Sequence, residues 1–338
     1  MTRYPLLYLI MLIAVTSAIS CTGNKASTYK KTRPLMDTIV SITVASADKD
    51  SAEKAIDSAL SEIERFGNLI DFYSDKSELS EINRNAGLRP VRVSPETMDL
   101  IVNAVAAAER SGGAFDPTVG VIVRLWDFAN RKMPSDDEIK LLLPLVNYRD
   151  IIVDRDNSTV FLKRKGMLMD LGGIAKGYAA DLAVESFRRN GISSGLVAIA
   201  GDIRAFGLKP DGSEWNVGIK NPRQTSDKDE IMAKIRLKDR AISTAGDYER
   251  FFILSGKKYH HILDPKTGYP AYKSISVSVV ADTGALTDGF DNAVFVLGPE
   301  KGLKLLKEMG LDAVITDANG ATHVTDGIRE KLTFEKRD

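Results

Sequence analysis

Cys21 is the only cysteine among 338 residues. Without a second thiol no intramolecular disulfide can form, so the fold has to be held by burial of side chains. The same count removes cysteine nucleophiles, CxxC redox chemistry and thiolate metal centres from the body of the protein. Burial is within reach: hydrophobic residues make up 43% and charged residues 27% of the sequence, a globular balance that excludes collagen-like, coiled-coil and disordered classes. The length suits one large domain or two closely packed ones. Lys plus Arg and Asp plus Glu each number 46. No net positive field gathers phosphate backbones, and nucleic acid is not expected as the main partner.

Residues 1–20 carry Arg3, an apolar run from Leu6 to Val15, and the small residues Ser17, Ala18 and Ser20, which is the grammar of an export signal. The run is shorter than the about 20 apolar residues of a membrane span. It resembles a bacterial lipoprotein signal, with Ala18 where Leu is usual. That resemblance implies removal of residues 1–20 and lipidation of Cys21. A cleaved secretory signal with Cys21 incidental, or an uncleaved N-terminal anchor, are the alternatives. Residues 21–33 are polar and basic and read as a flexible tether. The folded domain is therefore expected over 34–330, lipid-anchored on the periplasmic side of the cell inner membrane, with the outer membrane as the other option.

Hydrophobic spacing sets out the domain. Ile39, Val40, Ile42 and Val44 mark a strand within 35–45, and Ala55, Ile56, Ala59, Leu60, Ile63 and Phe66 recur at helical spacing over 51–70. Ser94-Pro95 opens a second helix whose expected apolar face is Met98, Ile101, Val102, Val105 and Ala106, stopped by Gly112-Gly113. Short strands are expected at 151–154 and 159–163, then a helix over 174–190 closed by Gly191. Residues 196–280 read as strands separated by turns. Helices are expected from Thr287 and after Pro299, and a hairpin over 313–325. Helices and strands mix without regular βαβ alternation, which predicts an α+β fold.

Three segments carry chemistry. Asp170-Leu171-Gly172-Gly173-Ile174-Ala175-Lys176-Gly177 reads as a strand end, paired glycines and a helix start. Glycines there let a ligand approach backbone N–H groups, and Lys176 with the helix N-terminus favours phosphate; a plain tight turn is the other reading. In Thr287-Asp288-Gly289-Phe290-Asp291-Asn292 a helix would project Asp288, Asp291 and Asn292 from one face. Such hard oxygen donors suit Mg²⁺, whereas acids in a first helical turn also serve its dipole without any metal. Tyr259-His260-His261-Ile262-Leu263-Asp264-Pro265-Lys266-Thr267-Gly268 holds two of three histidines, of which at most one can face a site if the segment is a strand. Its second half also reads as an ordinary turn. Met36-Asp37-Thr38, residues 77–83, Gly113-Ala114-Phe115-Asp116-Pro117-Thr118, Ala200-Gly201-Asp202-Ile203 and Ser243-Thr244-Ala245-Gly246-Asp247-Tyr248 complete the order.

The order of these segments, over about Met36 to Gly298, resembles the ApbE-like flavin transferases, the FAD:protein FMN transferase family. LGGIAKGYAAD (Leu171 to Asp181), HHILDPKTG (His260 to Gly268), GGAFDPTVG (Gly112 to Gly120) and the acidic stretch at Asp288 carry the resemblance. It implies a single domain of two intimately packed mixed α/β subdomains with FAD between them. It further implies that Met36, Tyr73, Ala114, Phe115, Asp116, Asp170, Lys176 and Leu263 line the FAD site. A main-chain oxygen at Gly173, with Asp288, Asp291 and Asn292, would hold Mg²⁺. Catalytic roles would fall to Asp288 and to His261 as base. Three positions depart from the family: Asn292 stands where Thr is common, Asp37 where Gly is common, and Ala200-Gly201-Asp202 where Gly-Gly-Asp is usual.

The implied reaction cleaves FAD, releases AMP and joins FMN through a phosphoester to a Thr or Ser of a partner flavoprotein, such as one of a membrane redox complex. Two other readings share the site: a Mg²⁺-dependent FAD pyrophosphatase, and a non-enzymatic FAD-binding lipoprotein.

Overall fold

The computed structural model of the chain describes residues 26–223 and 230–335. The expected leader, the lipidation at Cys21 and the start of the tether lie outside the described residues. From Ser27 onward the tether expectation is overturned. Ser27–Leu35 is a strand, paired antiparallel with Thr38–Ser46 from Ser27↔Ser46 to Leu35↔Thr38. Polar composition misleads here because this is an edge strand: Thr28, Tyr29 and Thr32 suit a strand, and its polar side chains face solvent or, like Lys31, pair with Asp57 of the adjoining helix.

Eight strands form one antiparallel sheet in chain order: Ser27–Leu35, Thr38–Ser46, Gly195–Ile199, Asp202–Phe206, Ala241–Gly246, Ser274–Ala281, Asp312–Asp317 and Thr322–Val324. The α+β expectation holds, and the last two strands are the expected hairpin. Helix Lys49–Ile70 buries all six of its expected apolar positions. Helix Pro95–Arg110 starts as expected, with Ser94 capping Thr97 N–H and Pro95 in the first turn. Its buried stripe is turned: Ala104, Ala107 and Ala108 go inside, while Ala106 is exposed.

Ser274–Ala281 is buried along its whole length because both sheet faces are covered. On one face Val277 and Val279 join the core shared by helices Lys49–Ile70, Ala175–Arg189 and Gly284–Leu297. On the other, Val280 and Ile242 meet Trp215, Val217 and Ile235 of a three-stranded sheet formed by Trp215–Lys220, Ile231–Leu237 and Leu332–Phe334. A further small sheet, Val91–Arg92, Thr159–Leu162 and Ile151–Asp154, lies beside helix Pro95–Arg110. Its Val91, Val160 and Leu162 belong to the same core as Ile63 and Phe66. The two halves are thus one continuous body.

Candidate active site

Helix Gly284–Leu297 begins at N-cap Thr283, a turn earlier than the sequence suggests. Asp288 and Asp291 therefore sit in its second turn, and its first turn holds no acid. The dipole explanation for them fails, because that effect is confined to the terminal turn. The free N–H groups at the helix start are met instead by Asp181, whose carboxylate accepts from Gly284 N (2.8 Å) and Ala285 N (3.0 Å) and pairs with Arg204 Nε (3.1 Å).

Asp288 and Asp291 are each 1% exposed. Asp288 Oδ2 accepts from the backbone N–H of Lys176 (3.1 Å) and Gly177 (3.0 Å) at the start of helix Ala175–Arg189. The two helices touch through their backbones: a Cβ on Gly177 would lie 2.0 Å from Gly284 O, and one on Gly284 would lie 2.1 Å from Gly177 O. Gly177 thus permits helix-to-helix contact. One expectation is corrected: the N-terminal N–H groups point at Asp288 rather than at a phosphate. Ile174 N and Ala175 N are likewise taken, by Leu171 O (3.1 and 3.0 Å).

Asp202, from the adjacent strand, completes the cluster, and one oxygen each of Asp202, Asp288 and Asp291 lie within 4.8 Å of one another. Lys176 Nζ contacts Asp202 (2.9 Å) and Asp288 (3.4 Å). Burial alone would lower its pKa; Asp202 and Asp288 outweigh that and hold the ammonium above its usual value. Three carboxylates against one ammonium leave an excess of negative charge. Burial, with Asp202 adding repulsion, pushes Asp288 up to about 6. Burial and the charges of Asp288 and Asp202 push Asp291 well above the usual carboxylate range.

The donor set fits a divalent cation. The Ser243 hydroxyl lies 2.5 Å from Asp291 Oδ2 and also contacts Asp202 Oδ1, yet it has one proton to give to two carboxylates. Asn292 Nδ2 gathers three oxygens: Gly173 O (3.4 Å), Asp288 O (3.1 Å) and Asp291 Oδ1 (2.8 Å). The expected ligands Gly173, Asp288, Asp291 and Asn292 are therefore brought together. With the Asn292 amide turned to present Oδ1 in place of Nδ2, the set is all-oxygen and net anionic, which is what Mg²⁺ chemistry prefers.

Other expected residues divide into two groups. Tyr73 is 72% exposed at the rim, and its hydroxyl is raised by partial desolvation and by the charge of Asp170, with Arg250 opposing. Met36 is half-buried in the two-residue hairpin turn, its side chain against Gly67. Phe115 abuts Gly173, where an added Cβ would lie 3.2 Å from the ring. Asp170 Oδ1 is held by Gly172 N (2.8 Å). These residues flank the cluster. Ala114 is buried beside them. Asp116, in contrast, is consumed internally: it accepts from Thr118 N (2.9 Å), Thr118 Oγ1 (2.6 Å) and Tyr148 N (3.0 Å). Leu263 is buried in the apolar cluster around Trp126, and Asp264 Oδ1 takes Lys266 N–H (2.9 Å) in a turn ending at Gly268.

The two histidines separate cleanly. His260 is buried, with Nε2 2.7 Å from Ala271 O and Nδ1 accepting from Ile262 N (3.3 Å), so both nitrogens are spent. His261 Nδ1 lies 3.2 Å from Arg250 O. A carbonyl only accepts, so Nδ1 carries the proton and Nε2 keeps its lone pair. Burial, with the Arg250 charge adding to it, lowers His261 to about 4 and leaves it neutral at pH 7.

Sequence reasoning left Asp202, Ser243 and Asp181 without roles, although each stood in a segment it singled out. Three elements distant in sequence supply them, and a pattern within one segment cannot show that they converge.

The ApbE family pattern matches residues 36–315. The FAD:protein FMN transferase of Treponema pallidum is 33% identical over 343 residues, covering 95% of this chain and 94% of that one. A FAD:protein FMN transferase of Klebsiella pneumoniae is 33% identical over 261 residues, covering 76% and 80%. Among solved structures, the ApbE protein from Thermotoga maritima superposes with a TM-score of 0.82 at 34% identity, covering 89% of this chain and 98% of that one. The flavin transferase ApbE from Vibrio cholerae gives 0.78 at 26%, covering 90% and 99%. With its fold, its motifs and nearly its whole length in common with these proteins, the chain belongs to the ApbE family.

Proposed function

We propose that this protein is a Mg²⁺-dependent FAD:protein FMN transferase. The observation that carries the proposal is the buried, net-anionic Asp202–Asp288–Asp291 cluster, with the Gly173 carbonyl and the Asn292 amide beside it. Mg²⁺ held by Asp288, Asp291, Asn292 and Gly173 O would neutralise charge developing on the pyrophosphate as AMP leaves. Phe115, Tyr73, Met36 and Asp170 form the wall along which the flavin half would lie. Asp202 and Lys176 hold the cluster's charge and geometry. His261 Nε2 takes the proton from the acceptor's Ser or Thr hydroxyl as its oxygen bonds to the FMN phosphorus and the bond to the AMP oxygen breaks. The reading carries with it the export and the Cys21 anchor expected from the leader.

The test is to mix the protein with FAD, Mg²⁺ and a flavin-free acceptor domain bearing a Ser/Thr attachment site, then record acceptor mass and AMP. A gain equal to an FMN phosphoester, matched by AMP, is expected. AMP and free FMN without a mass gain would instead make the protein a pyrophosphatase. FAD bound with neither product would make it a carrier.

A further inference from the structure

The hairpin of Phe251–Leu254 and Lys257–His260 is covered on one face and open on the other. Phe252 and Tyr259 pack on Trp126. The opposite side leaves Phe251 43% and Ile253 62% exposed; at the tip, on the Phe252 side, Leu254 is 42% exposed, and Tyr272 close by is 44% exposed. Clustered exposed apolar side chains of this kind mark an interaction surface rather than scattered exposure. Next to them opens a pocket of about 420 Å³ whose lining includes Arg223, Asp247, Lys257, Lys258, Tyr272 and Ser274. Arg223 (2.8 Å, two bonds) and Lys258 (2.9 Å) both hold Asp247. Lys257 meets only the rings of Tyr259 and Tyr272, at 5.2 and 5.3 Å, among the described residues. Among the described residues of this lining, three cations thus face one carboxylate. Ser274 is 3% exposed, and its buried hydroxyl has no hydrogen-bond partner among the described residues, a cost that a ligand's oxygen would relieve.

We propose that this is where the acceptor protein docks, with an acidic side chain of the acceptor entering the pocket toward Lys257 and Ser274 and its apolar residues covering Phe251, Ile253 and Leu254. The proposal rests on the transferase reading, which requires a second, macromolecular substrate. The excess positive charge calls for an anion. The apolar rim calls for a partner larger than a small anion, because an interface core needs such side chains covered. The surface is continuous with the chemistry: Arg250, the residue before the hairpin, accepts His261 N–H at 3.1 Å and lies 3.2 Å from its Nδ1. At about 3.4 Å per residue, the four residues from Arg250 to Leu254 put the docked segment roughly 14 Å from that histidine.

The experiment compares the unaltered protein with Lys257→Glu and Ile253→Asp, neither of which touches the acid cluster. Steady-state transfer is measured to a flavin-free acceptor domain carrying a Ser/Thr attachment site, together with direct binding of that domain and of FAD. Each substitution is expected to raise the acceptor KM about tenfold or more and to weaken acceptor binding in step. FAD affinity and the KM for FAD should stay within about twofold, which excludes misfolding. The acceptor KM of the unaltered protein should rise with added NaCl, and that of Lys257→Glu should not. Unchanged acceptor KM in both variants, with transfer intact, overturns the docking surface alone. Absence of transfer by the unaltered protein overturns the transferase reading and the docking surface with it. Binding of inorganic phosphate in the pocket that leaves the acceptor KM unaffected makes it a small-anion site and also overturns the proposal.

Discussion

The floor and the rim of the site are built by different means. The floor consists of Asp202, Asp288, Asp291 and Lys176 on a strand and two helices, pressed together by the Gly177–Gly284 contact and tied by the Asp181 and Asp288 bonds to helix starts. The rim consists of Met36, Tyr73, Asp170 and His261 on turns and loops, oriented by single hydrogen bonds such as His261 to Arg250 O. The floor stores unfavourable charge, which only packing can hold in place. The rim stores little and can adjust to a flexible dinucleotide and a protein partner. A function that must both strain a pyrophosphate and admit a macromolecule is served by that division.

The largest expected effect breaks the floor chemically. Asp288→Ala should cut FMN transfer by about a thousandfold or more, measured as acceptor mass gain, while circular dichroism stays unchanged. Full activity in that variant would remove the metal assignment. Breaking the floor mechanically comes next. Gly177→Ala drives a Cβ into Gly284 O and should cost about 3 kcal/mol in a denaturant titration, with loss of transfer because Asp288 is displaced.

A third effect concerns pH. Asp288 is at about 6 in the folded protein against 3.8 when free. The raised value means that stability is fully present below about pH 4 and is lost as pH rises through 6, by up to about 3 kcal/mol in metal-free protein. Thermal melts of unaltered protein and Asp288→Asn should therefore diverge over that window, the variant falling less. Mg²⁺ should recover the loss only in the unaltered protein. A constant gap across the window would contradict the origin assigned to it.

The smallest effect belongs to the hairpins. Ala200 has φ of 53°, in the loop joining Gly195–Ile199 to Asp202–Phe206. Asp37 has φ of 55° in the first hairpin. At both positions the resemblance drawn from the sequence leads one to expect glycine. Ala200→Gly should stabilise by about 1 kcal/mol in a urea titration, because a left-handed backbone costs glycine nothing.

These cases show how far the sequence could be read. Elements with a strong period were legible, as Ile56, Leu60 and Ile63 show, and so was the Ser94-Pro95 helix start. The edge strand at Ser27–Leu35 was not, because only Tyr29 and Leu35 of its inner row are apolar and they sit six residues apart, which leaves no apolar alternation to detect. Within the site, Asp288 and Asp291 were legible as a face of one helix. That Asp202 and Ser243 meet them depends on strand neighbours that only the folded sheet brings together. Asp116 shows the opposite case: three hydrogen bonds from its own surroundings already fix its carboxylate, a commitment that the residue type does not reveal. Adjacent His260 and His261 share a motif, yet only hydrogen-bond accounting separates a spent imidazole from a usable one.

The most direct test of the account is calorimetric titration of Mg²⁺ into the FAD-loaded protein, the unaltered chain beside Asp291→Ala and His261→Ala. One Mg²⁺ site is expected in the unaltered protein and in His261→Ala, and none in Asp291→Ala, because the floor binds metal independently of the rim. Equal Mg²⁺ binding in Asp291→Ala, or its loss in His261→Ala, would contradict the division of the site into a metal-holding floor and a proton-handling rim.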